Sequence, residues 1–348
     1  MPNSKNGDSR DIQTKIIKSI KKFDLNMDGR VVLTEAATGV YAVTAVIAAM
    51  AGAKVYALAK ESDYGDFSKI NSDMQKLIGG FADRSFNSRI KIIKDLSEIN
   101  DHIDVVTNSG FVRPINEKLM DLLTKDSAIS LMYEPWEFRE SDIDLKQAVA
   151  KGIKVYGVNE HDQRLRTMEY IGFIALYLLL EQKITPFSNK KILVLGGSKF
   201  SDPVNKILMQ NEYNVDVVSR YETATDITKY DVVILVENED AQLLVGDEGA
   251  YISSGELMGN HLMIHICGNV DVNNVKCALI PASPKKYGFM SFRTDFIDSM
   301  ALVDLQTAGL AVGEGMIKAN CLGLKGFQYK KFMETNYPAL AFEFEKYW

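Results

Sequence analysis

Cysteine is scarce in this chain. Its 348 residues include 3, Cys267, Cys277 and Cys321, set far apart, without the CxxC spacing of a zinc ribbon or the even count of a disulfide framework. A reducing compartment fits that usage. Surplus positive charge is absent too: 40 Lys and Arg against 46 Asp and Glu leave a formal net charge of −6, which argues against nucleic-acid or anionic membrane partners. The one basic cluster, Lys15, Lys18, Lys21 and Lys22, has the spacing of a solvated helical face. The longest apolar run, Ile171 to Leu180, is far shorter than the roughly 20 residues a membrane-spanning helix needs. The start, MPNSKNGDSRDIQTK, lacks the apolar core of a signal peptide, so the expectation is a cytoplasmic protein.

Composition is otherwise ordinary, 46% hydrophobic and 25% charged, and the length suits two domains of roughly 150 residues each. The first dozen residues are polar and precede a basic helix over Ile12 to Phe23. Beyond Asp28-Gly29, Val31-Val32-Leu33 has the pattern of a buried strand, Gly39 to Ala51 of a small-residue helix, and Lys54 to Leu58 of a second strand, together a βαβ unit. The alternation continues through strands at Ile103 to Val106, Ala128 to Leu131 and Val155-Tyr156, with helices at Asn116 to Leu123 and Asp144 to Ala150. Arg166 to Glu181 is apolar nearly all round, as a hinge helix between domains would be.

A second βαβ unit starts at Lys191 to Leu195 and turns at Gly196-Gly197 into a helix ending near Asn211. Asp202 is placed as the cap of that helix and Pro203 in its first turn. Strands follow at Val215 to Val218, Asp231 to Val236 and Leu262 to Ile266. A loop-rich stretch from Pro281 to Asp298 then leads to an amphipathic helix at Met300 to Ala319.

This order resembles the D-isomer-specific 2-hydroxyacid dehydrogenases and the related formate dehydrogenase and S-adenosylhomocysteine hydrolase-like proteins. The resemblance is carried by Asp142-Ile143-Asp144-Leu145 with Lys151-Gly152-Ile153-Lys154-Val155, by the apolar helix, and by the strand-glycine-helix of the second half. It implies an α/β fold of two Rossmann-like domains with parallel sheets. A dinucleotide-binding domain at 166–299 would be inserted into an outer, substrate domain at 1–165 plus 300–348, joined by the hinge helix and a C-terminal crossover helix, with the active site in the cleft.

The implied cofactor is NADP or NAD, on Gly196, Gly197, Ser198, Lys199, Phe200 and Ser201, with Gly268 nearby. Ser198 and Ser201 stand where the second and third glycines of the fingerprint belong, although a helix N-terminus still favours an anion. At the end of the next strand, Ser219-Arg220 replaces the usual carboxylate and suits a 2′-phosphate. Cys267 occupies the position of the family's substrate-binding Arg, and no His follows His265 to act as the family's acid-base group.

The remaining candidates for proton transfer are His265, at a strand end, and His161, in the polar segment Glu160 to Arg166. Cys267 is either a nucleophile or a small apolar packing residue. Asn108, Ser109 and Gly110 follow a strand where the resembling enzymes hold a substrate carboxylate, and Arg113 could supply the missing charge. Tyr133, Glu134 and Trp136, after another strand, have the aromatic density of a pocket wall. Pro281 to Arg293 has the character of a loop able to close over a polar ligand. Thr34-Glu35-Ala36-Ala37-Thr38-Gly39 either holds a small anion or caps a helix. Asp24 to Glu35 matches a twelve-residue calcium loop, in competition with the strand at Val31 to Leu33.

The expected function is an NAD(P)-dependent oxidoreductase acting on a polar small molecule in the interdomain cleft, as a homo-oligomer, most simply a dimer. Two alternatives stay open. One is a dehydrogenase-fold protein that has lost hydride chemistry and serves as a ligand-binding or regulatory protein; the other is a hydrolase or lyase with tightly bound NAD.

Overall fold

The computed structural model describes residues 9–61, 65–221, 225–293 and 295–344. The chain divides into two units, Met1–Leu165 with Ser299–Trp348 and Arg166–Asp298, so that the second is inserted into the first. Residues 1–8 of the polar terminus, Thr294 of the late loop and the last four residues of the expected outer domain lie outside the described residues.

Along the first unit run α1 (Ser9–Phe23), β1 (Val31–Glu35), α2 (Val43–Met50), β2 (Lys54–Leu58), α3 (Phe67–Gly79), β3 (Ile90–Ile93), β4 (Val105–Thr107), α4 (Glu117–Met120), β5 (Ala128–Ser130), α5 (Leu145–Lys151) and β6 (Lys154–Val158). The inserted unit contains α6 (Thr167–Glu181), β7 (Lys191–Leu195), α7 (Ser198–Gln210), β8 (Asn214–Val218), β9 (Val232–Val236), β10 (Leu243–Gly246), β11 (Ile252–Ser253), β12 (Leu262–Cys267), β13 (Asn269–Val270) and β14 (Ala278–Ile280). The chain then returns to the first unit as α8 (Met300–Cys321), α9 (Gly326–Asn336) and β15 (Ala339–Ala341).

The first unit is built on a seven-stranded sheet in the order β15-β6-β5-β4-β1-β2-β3. Its strands are parallel except β15, which pairs antiparallel with β6 at one edge. The apolar run of β1 does not alternate with polar residues because both faces are covered. Val32, Val55, Val105 and Ala128 belong to one buried cluster, and Leu33, Tyr56, Val106 and Ile129 to the other. From β1 the connections lead one way to β2 and β3 and the other way to β4, β5 and β6, so the strand order reverses between β1 and β4. Ligands of open parallel sheets bind outside the carboxyl ends of the strands at such a reversal.

Because residues 31–35 form a central strand, Asp24 to Glu35 is not a helix-loop-helix calcium loop. Met27 and Leu33 are buried within it, and among the described residues no group of His, Cys, Asp or Glu is placed to hold a metal.

The inserted unit holds a five-stranded parallel sheet in the order β14-β12-β9-β7-β8, which reverses between β7 and β9. The crossover from β9 to β12 carries no α-helix; its β10 and β11 join β13, which follows β12, in a small parallel sheet β11-β10-β13, whose Leu244, Val245 and Ile252 pack with Leu193, Val233 and Met263. Helix α6 lies close on α7: a Cβ on Gly172 would come 2.7 Å from the Pro203 carbonyl oxygen and from Ile207 Cγ1. Pro203 is inside α7 rather than at its start, and Asp202 does not cap it. The N-cap is Gly197, with no side-chain cap.

Helix α8 was expected to be amphipathic but is buried on nearly every side. Two of its buried polar residues are held by partners within the first unit. Asp304 accepts from Ser19 Oγ at 2.7 Å and pairs with Lys22, whose head therefore turns inward from the basic face, and Gln306 accepts from Thr44 Oγ1 at 2.8 Å. Glycines let α8 approach the sheet: a Cβ on Gly313 would stand 2.6 Å from Cγ1 of Val105 on β4. A helical Ala gains about 1 kcal/mol over Gly in propensity, but overpacking against a β-branched side chain costs about 1–3 kcal/mol. Gly313→Ala is therefore expected to lower stability by up to about 2 kcal/mol, read as a lower urea midpoint with unchanged slope.

Candidate functional site

In the inserted unit the reversal point is formed by the turn from β7 into α7 and by the segment after β9. Gly196 packs where no side chain fits, since its Cβ would lie 2.5 Å from the Val236 carbonyl oxygen. Gly197 then opens α7, whose first N–H groups have no side-chain cap. Such an end attracts an anion through unpaired donors and the helix dipole. An anion of the chain itself lies there: a Cβ on Gly197 would come 1.8 Å from Glu239 Oε2.

The acidic segment is shaped by Glu237, which is 1% exposed. Its carboxylate turns back to accept from the backbone of Glu239 at 2.7 Å and of Asp240 at 2.9 Å, and from Tyr221 Oη. Ser198 is exposed at the mouth of the turn, whereas Phe200 and Ser201 are buried in α7 and face away from solvent. Lys199 is half-buried. Ser219 and Arg220 are exposed at the end of β8. The uncapped start of α7 offers backbone donors to an anion, with the exposed Glu239 carboxylate lying against Gly197.

His265 is not free to exchange protons as expected of a catalytic residue. It is fully buried, with Nδ1 2.7 Å from Ser291 Oγ and Nε2 3.1 Å from the Gly268 carbonyl oxygen. A carbonyl only accepts, so the proton sits on Nε2 and Ser291 donates to Nδ1. Ser291 Oγ also accepts from the Lys285 backbone at 3.0 Å, and its own N–H bonds the Ile266 carbonyl at 2.7 Å. The ring thus fastens the late loop to β12. Gly268 serves this contact with φ +134°, a conformation side chains rarely adopt. Cys267 is buried, and burial first, then the Glu237 charge, pushes its thiol up, away from the thiolate a nucleophile needs.

In the first unit the reversal point lies at the ends of β1 and β4. Thr107 Oγ1 donates to Thr34 Oγ1 at 2.8 Å and lies 2.8 Å from Ser109 Oγ, tying the two strand ends together. Glu35, which closes β1, accepts from the Phe111 backbone at 3.1 Å and also from Gly110. Burial raises its carboxyl above the usual range, opposed by these amide bonds and by Arg113. The chain's own carboxylate fills the amides that the resemblance assigns to a substrate carboxylate.

Asn108 is 1% exposed and donates through Nδ2 to Tyr133 Oη, which donates to Asp142 Oδ2 at 3.0 Å. Burial, then the Asp142 charge, keeps the Tyr133 hydroxyl protonated. Arg113 Nη1 lies 3.3 Å from the same Asp142 oxygen, so its charge is already matched.

Asn108, Ser109, Gly110, Arg113 and Tyr133 are thus brought together, with Glu35 and Asp142 as partners that motif reading did not pair with them. Glu134 and Trp136 are directed elsewhere. Glu134 accepts from the Glu160 backbone at 3.1 Å and from Trp136 Nε1, bridging the ends of β5 and β6, and Trp136 is 54% exposed. His161 is exposed on the polar segment after β6, its N–H bonded to Asn159 Oδ1 at 3.1 Å.

No family model and no curated protein matches the chain. Among solved structures it is similar to a dipicolinate synthase subunit from Bacillus halodurans, at 11% identity over 84% of this chain and 98% of that one, TM-score 0.46. It is similar to NAD-dependent formate dehydrogenase from Staphylococcus aureus in complex with NAD, at 8% identity over 84% and 95%, TM-score 0.45. It is also similar to a D-isomer specific 2-hydroxyacid dehydrogenase from Lactobacillus delbrueckii ssp. bulgaricus in an NAD-complexed form, at 11% identity over 86% and 99%, TM-score 0.38.

Burial holds the His265 imidazole below its ordinary value near 6.5, against the opposing Gly268 bond. Below that value the unfolded chain binds a proton that the native state refuses, so the stability due to neutral His265 is complete above about pH 6.5 and is lost as pH falls. The stability difference between the native protein and His265→Asn, measured by urea melts, is expected to narrow between about pH 7.5 and pH 5. A constant difference would show that the ring does not resist protonation.

Proposed function

We propose that the chain is an NAD(P)-dependent oxidoreductase acting on a polar small molecule. The observation that supports this best is the β7–α7 turn, where Gly196 and Gly197 deliver an uncapped helix N-terminus to the reversal point of a parallel sheet. In this reading the N–H groups opening α7 hold the pyrophosphate, and Ser219 and Arg220 at the end of β8 select the 2′-phosphate of NADP. The nicotinamide supplies the hydride chemistry. The polar constellation at the ends of β1 and β4, built from Asn108, Ser109, Gly110 and Tyr133, takes the small molecule. With His265 internal, His161 is the remaining imidazole candidate for proton transfer.

A second reading is favoured by a specific observation. Glu239 at Gly197, with Glu237 and Asp240 beside it, sets negative charge where a pyrophosphate needs positive, and this suits a dehydrogenase-fold protein that binds a ligand without hydride chemistry. Thermal-shift titration with NAD, NADH, NADP and NADPH separates the two. A ligand at one hundred times its dissociation constant adds about 2.7 kcal/mol. The oxidoreductase reading expects stabilisation by NADP(H) that Arg220→Ala abolishes. It also expects Glu239→Gln to tighten dinucleotide binding by about three- to tenfold, since one like charge is removed from a half-open site. No shift with any of the four nucleotides at millimolar concentration leaves the binding-protein reading in place.

A further inference from the structure

The site at the ends of β1 and β4 contains an acceptor with nothing to accept. Asn108 Oδ1 is buried without a hydrogen-bond partner, on a side chain that is 1% exposed. Its orientation is fixed by its neighbours. The Asp142 carboxylate, beside Arg113, only accepts, so Tyr133 Oη must give its proton to Asp142 and receive one from the Asn108 amide nitrogen. A reversed amide would set two acceptor oxygens together or strip the carboxylate of its bond. The oxygen of Asn108 is therefore the atom left over, and leaving such an atom unpaired costs about 1–3 kcal/mol.

Glu35 adds a second, charged acceptor. It closes β1 next to β4, and a Cβ on Gly110 would come 2.9 Å from its Oε2. The residue as a whole is half-buried. The cation nearest it in effect, Arg113, is paired with Asp142, and Lys60 turns to the Arg113 carbonyl oxygen at 3.1 Å. The backbone amides of Gly110 and Phe111 that would welcome an anion are already engaged by Glu35. Among the described residues neither Arg113 nor Lys60 donates to the Glu35 carboxylate, which is left without a charged partner.

We propose that the reversal point of the seven-stranded sheet binds the protonated amine of a small ligand, with Asn108 Oδ1 and the Glu35 carboxylate as its acceptors. An ammonium carries three donors and no acceptor, which matches one neutral and one anionic oxygen. A carboxylate at the same place meets Glu35 head on. This names the ligand class of the small-molecule site in the reading above. It rests on that reading only in placing the ligand at β1 and β4, and it stands without the nucleotide.

Alanine and lactate of one configuration are the test pair, because they differ in carrying an ammonium or a hydroxyl on the same carbon. Calorimetric titration of the full chain, without nucleotide and in both configurations, is expected to give alanine binding at least about tenfold tighter than lactate, the weight of one charge-assisted bond. Glu35→Gln, which keeps an acceptor for the two amides, is expected to remove about tenfold of the alanine affinity and leave lactate unchanged. Binding of neither compound at about 50 mM, equal binding of both, or an alanine preference untouched by Glu35→Gln each overturns the proposal. The comparison within the unsubstituted protein does not depend on any variant folding. Because no nucleotide is present, failure here leaves the dinucleotide titration to stand or fall by itself.

Discussion

A parallel sheet whose strand order reverses leaves a gap at the carboxyl ends of two neighbouring strands, because the connections on either side depart in opposite directions. The backbone N–H groups that begin each connection point into that gap and must find acceptors. In this chain both gaps are met by glutamates. Glu35 reaches from β1 to the amides of Gly110 and Phe111. Glu237 reaches from β9 to those of Glu239 and Asp240. The loops around both candidate sites are folded about these two side chains, and the charge left at each edge follows from them.

The same logic of internal satisfaction decides which polar residues stay available for chemistry. His265 combines a strand-end position with an imidazole, yet both ring nitrogens are consumed in holding Ser291 and Gly268. Glu134 is likewise spent on Trp136 and the Glu160 backbone. Asn108 differs. Its amide nitrogen is fixed by the run through Tyr133 to Asp142, and its oxygen is left without a partner at a position where desolvation makes that costly. A fold tolerates such an atom where something other than stability selects it.

Much of the architecture is legible in the residue pattern. Val31 to Leu33, Lys54 to Leu58, Lys191 to Leu195 and Val232 to Val236 are β-branched, apolar and short, and the strands form where those runs lie. Elements with weaker patterns are less visible. β3 (Ile90–Ile93) is interrupted by Lys91, and β15 is only three residues long and antiparallel. Helix α8 looks amphipathic because Asp304, Gln306 and Glu314 recur along it, and only tertiary partners reveal that these residues are buried. The site is harder still. Strand ends can be located from sequence, which places Asn108 to Gly110 and Gly196-Gly197 at the edges, but the partners of a strand-end residue come from elsewhere in the chain. Nothing in the order of residues pairs Glu35 with Gly110, 75 positions on, or Glu239 with Gly197.

These long-range pairings also bear on specificity. When a chain turns its own carboxylate onto the backbone donors of a loop, it removes the recognition element for an anion and installs an anion in its place. The change is made by one residue at the end of one strand, with the sheet order, the reversal point and the glycine that permits close approach all retained. At Glu35 and Asn108 the polar oxygens at the strand ends are acceptors, one engaged by the Phe111 amide and one without a partner.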